Sequence, residues 1–177
     1  MKRLFTVAAL VTALLFAGQA DAQTKIGYIS VDNMVGLMPE VAKIDSMLQR
    51  YQVDSLNPEY ASLLQRYQFK DSVWRDSVKT PPAVRKEIEK ELPTMLYQLN
   101  NWDKIVDQLT QNKQNELLEP IYRKVYDAIK AVAKEKGYTH VFTKEAFLVA
   151  PEGDDMIAAV AAKLKVKLPP PNTRPGN

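Results

Sequence analysis

The stretch SVWRDSVKTPPAVRKEIEKEL, residues 72–92, decides the fold. Pro81 and Pro82 each lack a backbone N–H, and each biases its predecessor away from the helical region, so together they stop a helix. Pro82 can also begin the next one, because the first turn of a helix needs no donor there. On both sides the surroundings favour helix: no glycine occurs from Leu37 to Lys136, and Leu, Gln, Lys and Glu crowd the window. Before the prolines, Val41, Ile44, Leu48 and Tyr51, and then a second group Tyr60, Leu63, Leu64, Tyr67 and Trp74, repeat at spacings that alternate between three, four and seven. After them the same rhythm runs through Val84, Ile88, Leu92, Met95, Leu99, Trp102, Val106 and Leu109, and again through Leu117, Ile121, Val125 and Val132. Each series marks one face of a long amphipathic helix.

Folding the chain back at the prolines pairs positions whose numbers sum to about 163, as an antiparallel coiled-coil hairpin requires. Tyr60 then faces Trp102, Tyr67 faces Tyr97, Trp74 falls near Ile88, and Glu40 comes beside Arg123. The result is an arm of roughly 40 residues, on the order of 60 Å long. Pro58, Pro93 and Pro120 interrupt the helical windows and predict kinks, and the seam thins where polar residues replace apolar ones from Asn112 to Asn115.

Outward from the arm the pattern changes. Lys25–Val31 (KIGYISV) is short and β-branched and predicts a strand. Gly137 stands where the second long helix should end. Tyr138–Thr143 and Ala146–Ala150 read as two strands of a hairpin turning at Lys144-Glu145. Met156–Leu164 reads as a last helix whose preceding acidic residues suit its dipole. The expected fold is α+β and mostly α. A small β-rich body built from both chain ends (residues 23–39 and 137–168) carries a helical hairpin arm (40–136) with its tip near 80–82. Four prolines within residues 169–177 predict a disordered tail.

Composition narrows the chemistry. The chain has 177 residues, 24 Lys+Arg against 21 Asp+Glu, one histidine and no cysteine. Disulfides, thiolate metal sites and cysteine nucleophiles are excluded, and a net charge of +3 is too small for a dedicated nucleic-acid binder. Lys2 and Arg3, the uncharged run Leu4–Ala17 and the Ala20-Asp21-Ala22 pattern form an export signal over residues 1–22, with cleavage expected after Ala22. Fourteen helical residues reach only about 21 Å, too short to span a bilayer core of about 30 Å. The mature chain is expected to be exported and soluble.

KIGYISVDNMVGLMPE (25–40) and ELLEPIYRKVYDAIKAVAKEKGYTHVF (116–142), followed by Gly153-Asp154-Asp155 before a short helix, resemble the Skp (OmpH) family of periplasmic chaperones for outer-membrane proteins. The resemblance implies a trimer with a shared β-rich body and three helical arms around a client cavity. One departure is charge. The arms of the better-known members are strongly basic, whereas Glu40–Lys136 here holds 16 basic and 15 acidic residues.

Candidate functional residues are few. Seven basic residues between Arg66 and Lys90, against four acidic ones, make the tip a weak positive patch. Lys79, Arg85, Lys86 and Lys90 are the candidate client-binding residues there, with weak contact to a membrane surface as a second use. A solvated helix face with local pairs such as Asp71–Arg75 explains the same charges. Tyr51, Tyr60, Tyr67 and Trp74 read as seam residues. His140 reads as a strand residue, and Glu152, Asp154 and Asp155 as helix capping. No catalytic, cofactor or metal signature occurs. Two functions follow: an ATP-independent holdase for unfolded outer-membrane proteins, or an envelope adaptor with one defined partner. Short strands with uncovered edges predict self-association through the body, and the resemblance makes it a homotrimer.

Overall fold

The computed structural model describes residues 24–170, so the expected leader and most of the expected tail lie outside the described residues. Strand β1 (Ile26–Ile29) leads into helix α1 (Val31–Gly36), a 3₁₀ turn (Val41–Lys43) and helix α2 (Ile44–Tyr51). A π-helical segment (Gln52–Leu56) joins α2 to α3 (Asn57–Arg75), and the chain then reverses into α4 (Pro82–Asn100) and α5 (Trp102–Lys136). Strand β2 (His140–Thr143), 3₁₀ turns at Lys144–Ala146 and Glu152–Asp154, and helix α6 (Ile157–Leu164) complete it. The α+β, mostly helical reading holds.

The hairpin forms in nearly the expected register. The Tyr60 and Trp102 rings lie 5.4 Å apart, and Lys70 pairs with Glu91 across the seam. Nearer the root, Glu40 meets Lys124 at 2.6 Å rather than Arg123, which turns to Glu119 on its own helix. One residue is a 100° step around a helix, so only one of two neighbours can face the partner. Tyr97 is 67% exposed and lies outside the seam, and the Arg85 guanidinium lies over the Trp74 ring.

The prolines act differently from one another. Pro58 cannot donate to the carbonyl of residue 54, and the wider π turn just before it absorbs the defect. Pro93 and Pro120 are carried inside continuous helices. The break comes instead at Asn101 (φ −110°, ψ 17°), whose side-chain amide and backbone N–H both donate to the Tyr97 carbonyl, at 2.8 and 3.0 Å. Asparagine offers the backbone this local alternative to the helix ladder.

The expected β-hairpin does not form. β2 pairs in parallel with β1, Ile26 opposite His140 through Ile29 opposite Thr143, and these are the two strands of the described residues. A tight hairpin turn needs residues that accept positive φ, and Lys144-Glu145 offers neither glycine nor asparagine. The chain instead enters a 3₁₀ turn, where the Ser30 hydroxyl donates to Glu145 Oε1 at 2.7 Å and the Phe147 ring packs 5.7 Å from Tyr28. β1 is also bridged at Tyr28 to Asp155, so it is flanked on both sides, while the outer edge of β2 is open among the described residues.

One core serves the body. Ile29, Met34, Val35, Met38, Val125, Val132, Met156 and Val160 are buried within it, and it extends up the arm root to Ile44 and Ile121. Gly27 is required by this packing: a Cβ there would stand 2.7 Å from Met156 Sδ. Gly137 closes α5 at φ 71°, with Tyr138 N donating to the Ala133 carbonyl at 2.9 Å.

Candidate functional site

The tip is a built turn. Asp76 Oδ1 accepts from the backbone N–H groups of Val78 (3.2 Å) and Lys79 (3.0 Å), and Thr80 Oγ1 donates to the Val73 carbonyl at 2.8 Å. Pro81 is extended (φ −59°, ψ 145°) and delivers the chain into α4. This clamped turn presents Val78, 92% exposed, at the apex beside Lys79.

The four candidate residues have unequal freedom. Arg85 is half-buried: its Nε donates to the Trp74 carbonyl at 2.9 Å and its guanidinium lies over the Trp74 ring. It ties the two helices together below the turn. Lys90 pairs with Glu87 at 3.1 Å. Lys79 and Lys86 are exposed and make no ion pair among the described residues. Of the wider patch, Arg75 pairs with Asp71 at 2.8 Å and Lys70 with Glu91. The tip's usable positive field is therefore much smaller than its lysine and arginine content.

Apolar residues add a feature that charge counting missed. Phe69 (68% exposed), Val84, Leu96 and Tyr97 join Val78 in leaving apolar surface on the distal arm. Phe69 stands off the three-four stripe, and that departure is the sequence signal that identifies it. Tyr60 and Trp74, by contrast, make the packing contacts expected of seam residues.

Two contacts fasten the arm to the body. The Tyr122 hydroxyl donates to Asp32 Oδ1 at 2.8 Å, which raises the Tyr122 pKa because ionisation would lose this bond beside a carboxylate. The Lys124 ammonium holds Glu40 below the usual carboxylate range through their hydrogen bond. On the body, Phe142 on β2 is exposed and lines a cavity of about 240 Å³ with Ile29, Tyr126, Ile129 and Val141, and Leu148 and Val149 are exposed in the segment after β2. Among the described residues no cluster of His, Cys, Asp and Glu could hold a metal ion, and no helix is long and apolar enough to cross a membrane.

Comparison with known proteins adds a family. The model of the family described as "Outer membrane protein (OmpH-like)" matches residues 25–164. The proteins named Chaperone protein Skp from Photorhabdus luminescens and Pectobacterium atrosepticum are 23% and 22% identical over 171 residues, covering 93% of this chain and all of theirs. A crystal structure of an OmpH-like outer membrane chaperone from Caulobacter crescentus CB15 aligns with 82% of this chain and 86% of its own at 15% identity, with a TM-score of 0.47.

Proposed function

The chain belongs to the OmpH-like outer membrane protein family, and from that premise we propose that it is a periplasmic chaperone holding unfolded outer-membrane proteins apart without ATP. The observation that carries the mechanism is the apolar surface of the distal arm: Phe69, Val78, Leu96 and Tyr97 enter no core among the described residues. An unfolded β-barrel protein exposes apolar segments and unpaired strand edges that otherwise meet one another. Scattered apolar side chains on a rod bind such segments weakly at many points, so release needs no fuel beyond the client's own insertion into the membrane. Lys79 and Lys86 speed capture of acidic segments and give the tip weak contact with anionic headgroups. Arg85 and Lys90 contribute less, being engaged within the arm.

In this reading the arm, residues 40–136, holds the client, and residues 23–39 with 137–168 form the assembly part. The open β2 edge with Phe142, and the exposed Leu148 and Val149 in the segment after it, support self-association, and family resemblance supplies a homotrimer with a client cavity between coiled-coil arms. The leader over 1–22 supports export.

The test dilutes a denatured outer-membrane β-barrel protein into buffer with the exported chaperone and follows light scattering. Suppressed scattering at stoichiometric amounts supports the holdase reading. Unchanged scattering at excess, together with one dominant partner recovered from envelope extracts, identifies an adaptor instead.

A further inference from the structure

We propose that the serines of four Asp-Ser-apolar tripeptides in the first limb of the arm accept neutral O-linked sugars, with Ser77 at the tip as the foremost site. The inference rests on the reading of the chain as a periplasmic protein. The tripeptides are Asp45-Ser46-Met47, Asp54-Ser55-Leu56, Asp71-Ser72-Val73 and Asp76-Ser77-Val78. The chain holds six serines and eleven aspartates in 177 residues, so chance places fewer than one aspartate directly before a serine. Four are found, and each of the four serines is followed by Met, Leu or Val. Successive tripeptides are nine, seventeen and five residues apart, outside the three-four-seven rhythm of the seam. Packing of the hairpin therefore does not call for the pattern.

The aspartates taken singly have local uses. Asp45 suits the first turn of α2, Asp71 pairs with Arg75, and Asp76 holds the tip turn. None of these uses needs a serine next. All four serines are exposed, so the folded arm has room for a bulky group at each. Ser46 and Ser72 turn their hydroxyls back to the carbonyls of Lys43 and Phe69, at 2.8 and 2.7 Å, as serines inside helices do, and Leu56 after Ser55 is buried. Ser77 differs. It lies in the turn between α3 and α4, and Val78 after it is 92% exposed. Neighbouring side chains on a helix diverge by about 100°, so one enzyme groove cannot hold all three residues of a helical tripeptide. The tip turn is free of that constraint and can be modified in the folded protein. The other three serines are modified on the newly exported chain, before their helices form.

The neighbouring carboxylate selects the group. A phosphoryl group on Ser77 would set a second anion against Asp76, whose own oxygen is committed to the Val78 and Lys79 N–H groups. A sugar adds bulk and hydroxyls without charge. The donor is a glycosyl phosphate on a lipid carrier. Its bond from C1 to the phosphate oxygen breaks, C1 bonds to the serine Oγ, the hydroxyl proton passes to a base of the transferase, and the carrier phosphate leaves. The product has a use at the tip. Val78 stands at the free end of a rod, where two molecules would first adhere through apolar surface, and a hydrated chain beside it hinders that contact.

The experiment takes the full-length gene product from the periplasmic fraction of its own organism and measures its intact mass before and after β-elimination in mild base. A mass above that of the mature chain, returned by base to nearly the bare value with dehydroalanine at the four serines, is expected. Ser46→Ala/Ser55→Ala/Ser72→Ala/Ser77→Ala should lose the whole shift, and Ser77→Ala alone should remove the most fully occupied position. Ser62→Ala, at an exposed serine preceded by Ala61, should retain all of it. An unchanged urea midpoint verifies that each variant is folded. A periplasmic protein of bare mass, a shift kept by the fourfold variant, or a shift removed by phosphatase would overturn the proposal and leave the periplasmic reading standing. Recovery from the cytoplasm alone would overturn both.

Discussion

The body and the arm bury their apolar residues in different ways. In the body, side chains from β1, α1, α5 and α6 meet in three dimensions, and Met34, Val125 and Val160 are wholly shielded. Beyond the arm root, the buried residues are Leu56, Leu63, Ile88 and Met95, a seam one side chain wide. Two helices can cover only the strip between them, so every apolar residue off that strip stays in water. The same chain thus makes a part with a three-dimensional core and a part with only a seam. Stability resides in the first and unspent binding surface in the second.

The largest expected effect lies in the body. Met34→Ala removes a fully buried side chain from the shared core and should cost about 2–5 kcal/mol, read as a lower urea midpoint for the whole protein. The corresponding change in the arm, Leu63→Ala, should cost less, about 1–2 kcal/mol, because the seam can collapse toward solvent. Hydrogen exchange sharpens the contrast: Leu63→Ala should speed exchange through α3 and α4 while leaving β1 and residues 121–132 protected. Equal global destabilisation by the two changes would make arm and body one cooperative unit and break the distinction.

Smaller effects test the fastenings. Arg85→Ala removes the hydrogen bond to the Trp74 carbonyl and the guanidinium over its ring, at a cost of about 1 kcal/mol, seen as faster exchange near the tip and altered Trp74 fluorescence. The smallest is Glu40→Gln, about 0.5 kcal/mol for an exposed ion pair. Its sign with pH is fixed. The hydrogen bond from Lys124 lowers the folded pKa of Glu40 below the ordinary glutamate value, so the contribution is complete above that ordinary value and lost as pH falls through the lower folded one. The stability gap between the two proteins should therefore persist at pH 5 and close on further acidification. A gap that widens on acidification would contradict the assignment.

Much of the arm was legible in the sequence. The proline pair, the absence of glycine and the apolar rhythm give the hairpin and its register to within a residue or so, because a helix repeats a local rule. The π turn and the break at Asn101 were not legible, since each depends on how Pro58 and Asn101 compete with the backbone in one place. The body was harder. Ala146–Ala150 has the composition of a strand, but Tyr28 and Ser30, more than a hundred residues earlier, hold Glu145 and Phe147 in another path. At the candidate site, charge counting singled out Lys79, Arg85, Lys86 and Lys90 alike; that Arg85 lies over Trp74 across the hairpin depends on the fold and was not legible. Tyr97, placed opposite Tyr67 by the expected register, points to water.

The central claim is that apolar residues left over by the arm hold the client while the body keeps the assembly intact. Phe69→Ser/Val78→Ser/Tyr97→Ser tests it in the scattering assay with a denatured β-barrel client. All three positions are exposed, so the variant should keep the wild-type urea midpoint and sedimentation behaviour. The predicted result is client binding weaker by about tenfold or more, since each lost side chain removes burial available only to the client. Full protection by this variant, with fold and assembly unchanged, would contradict the claim.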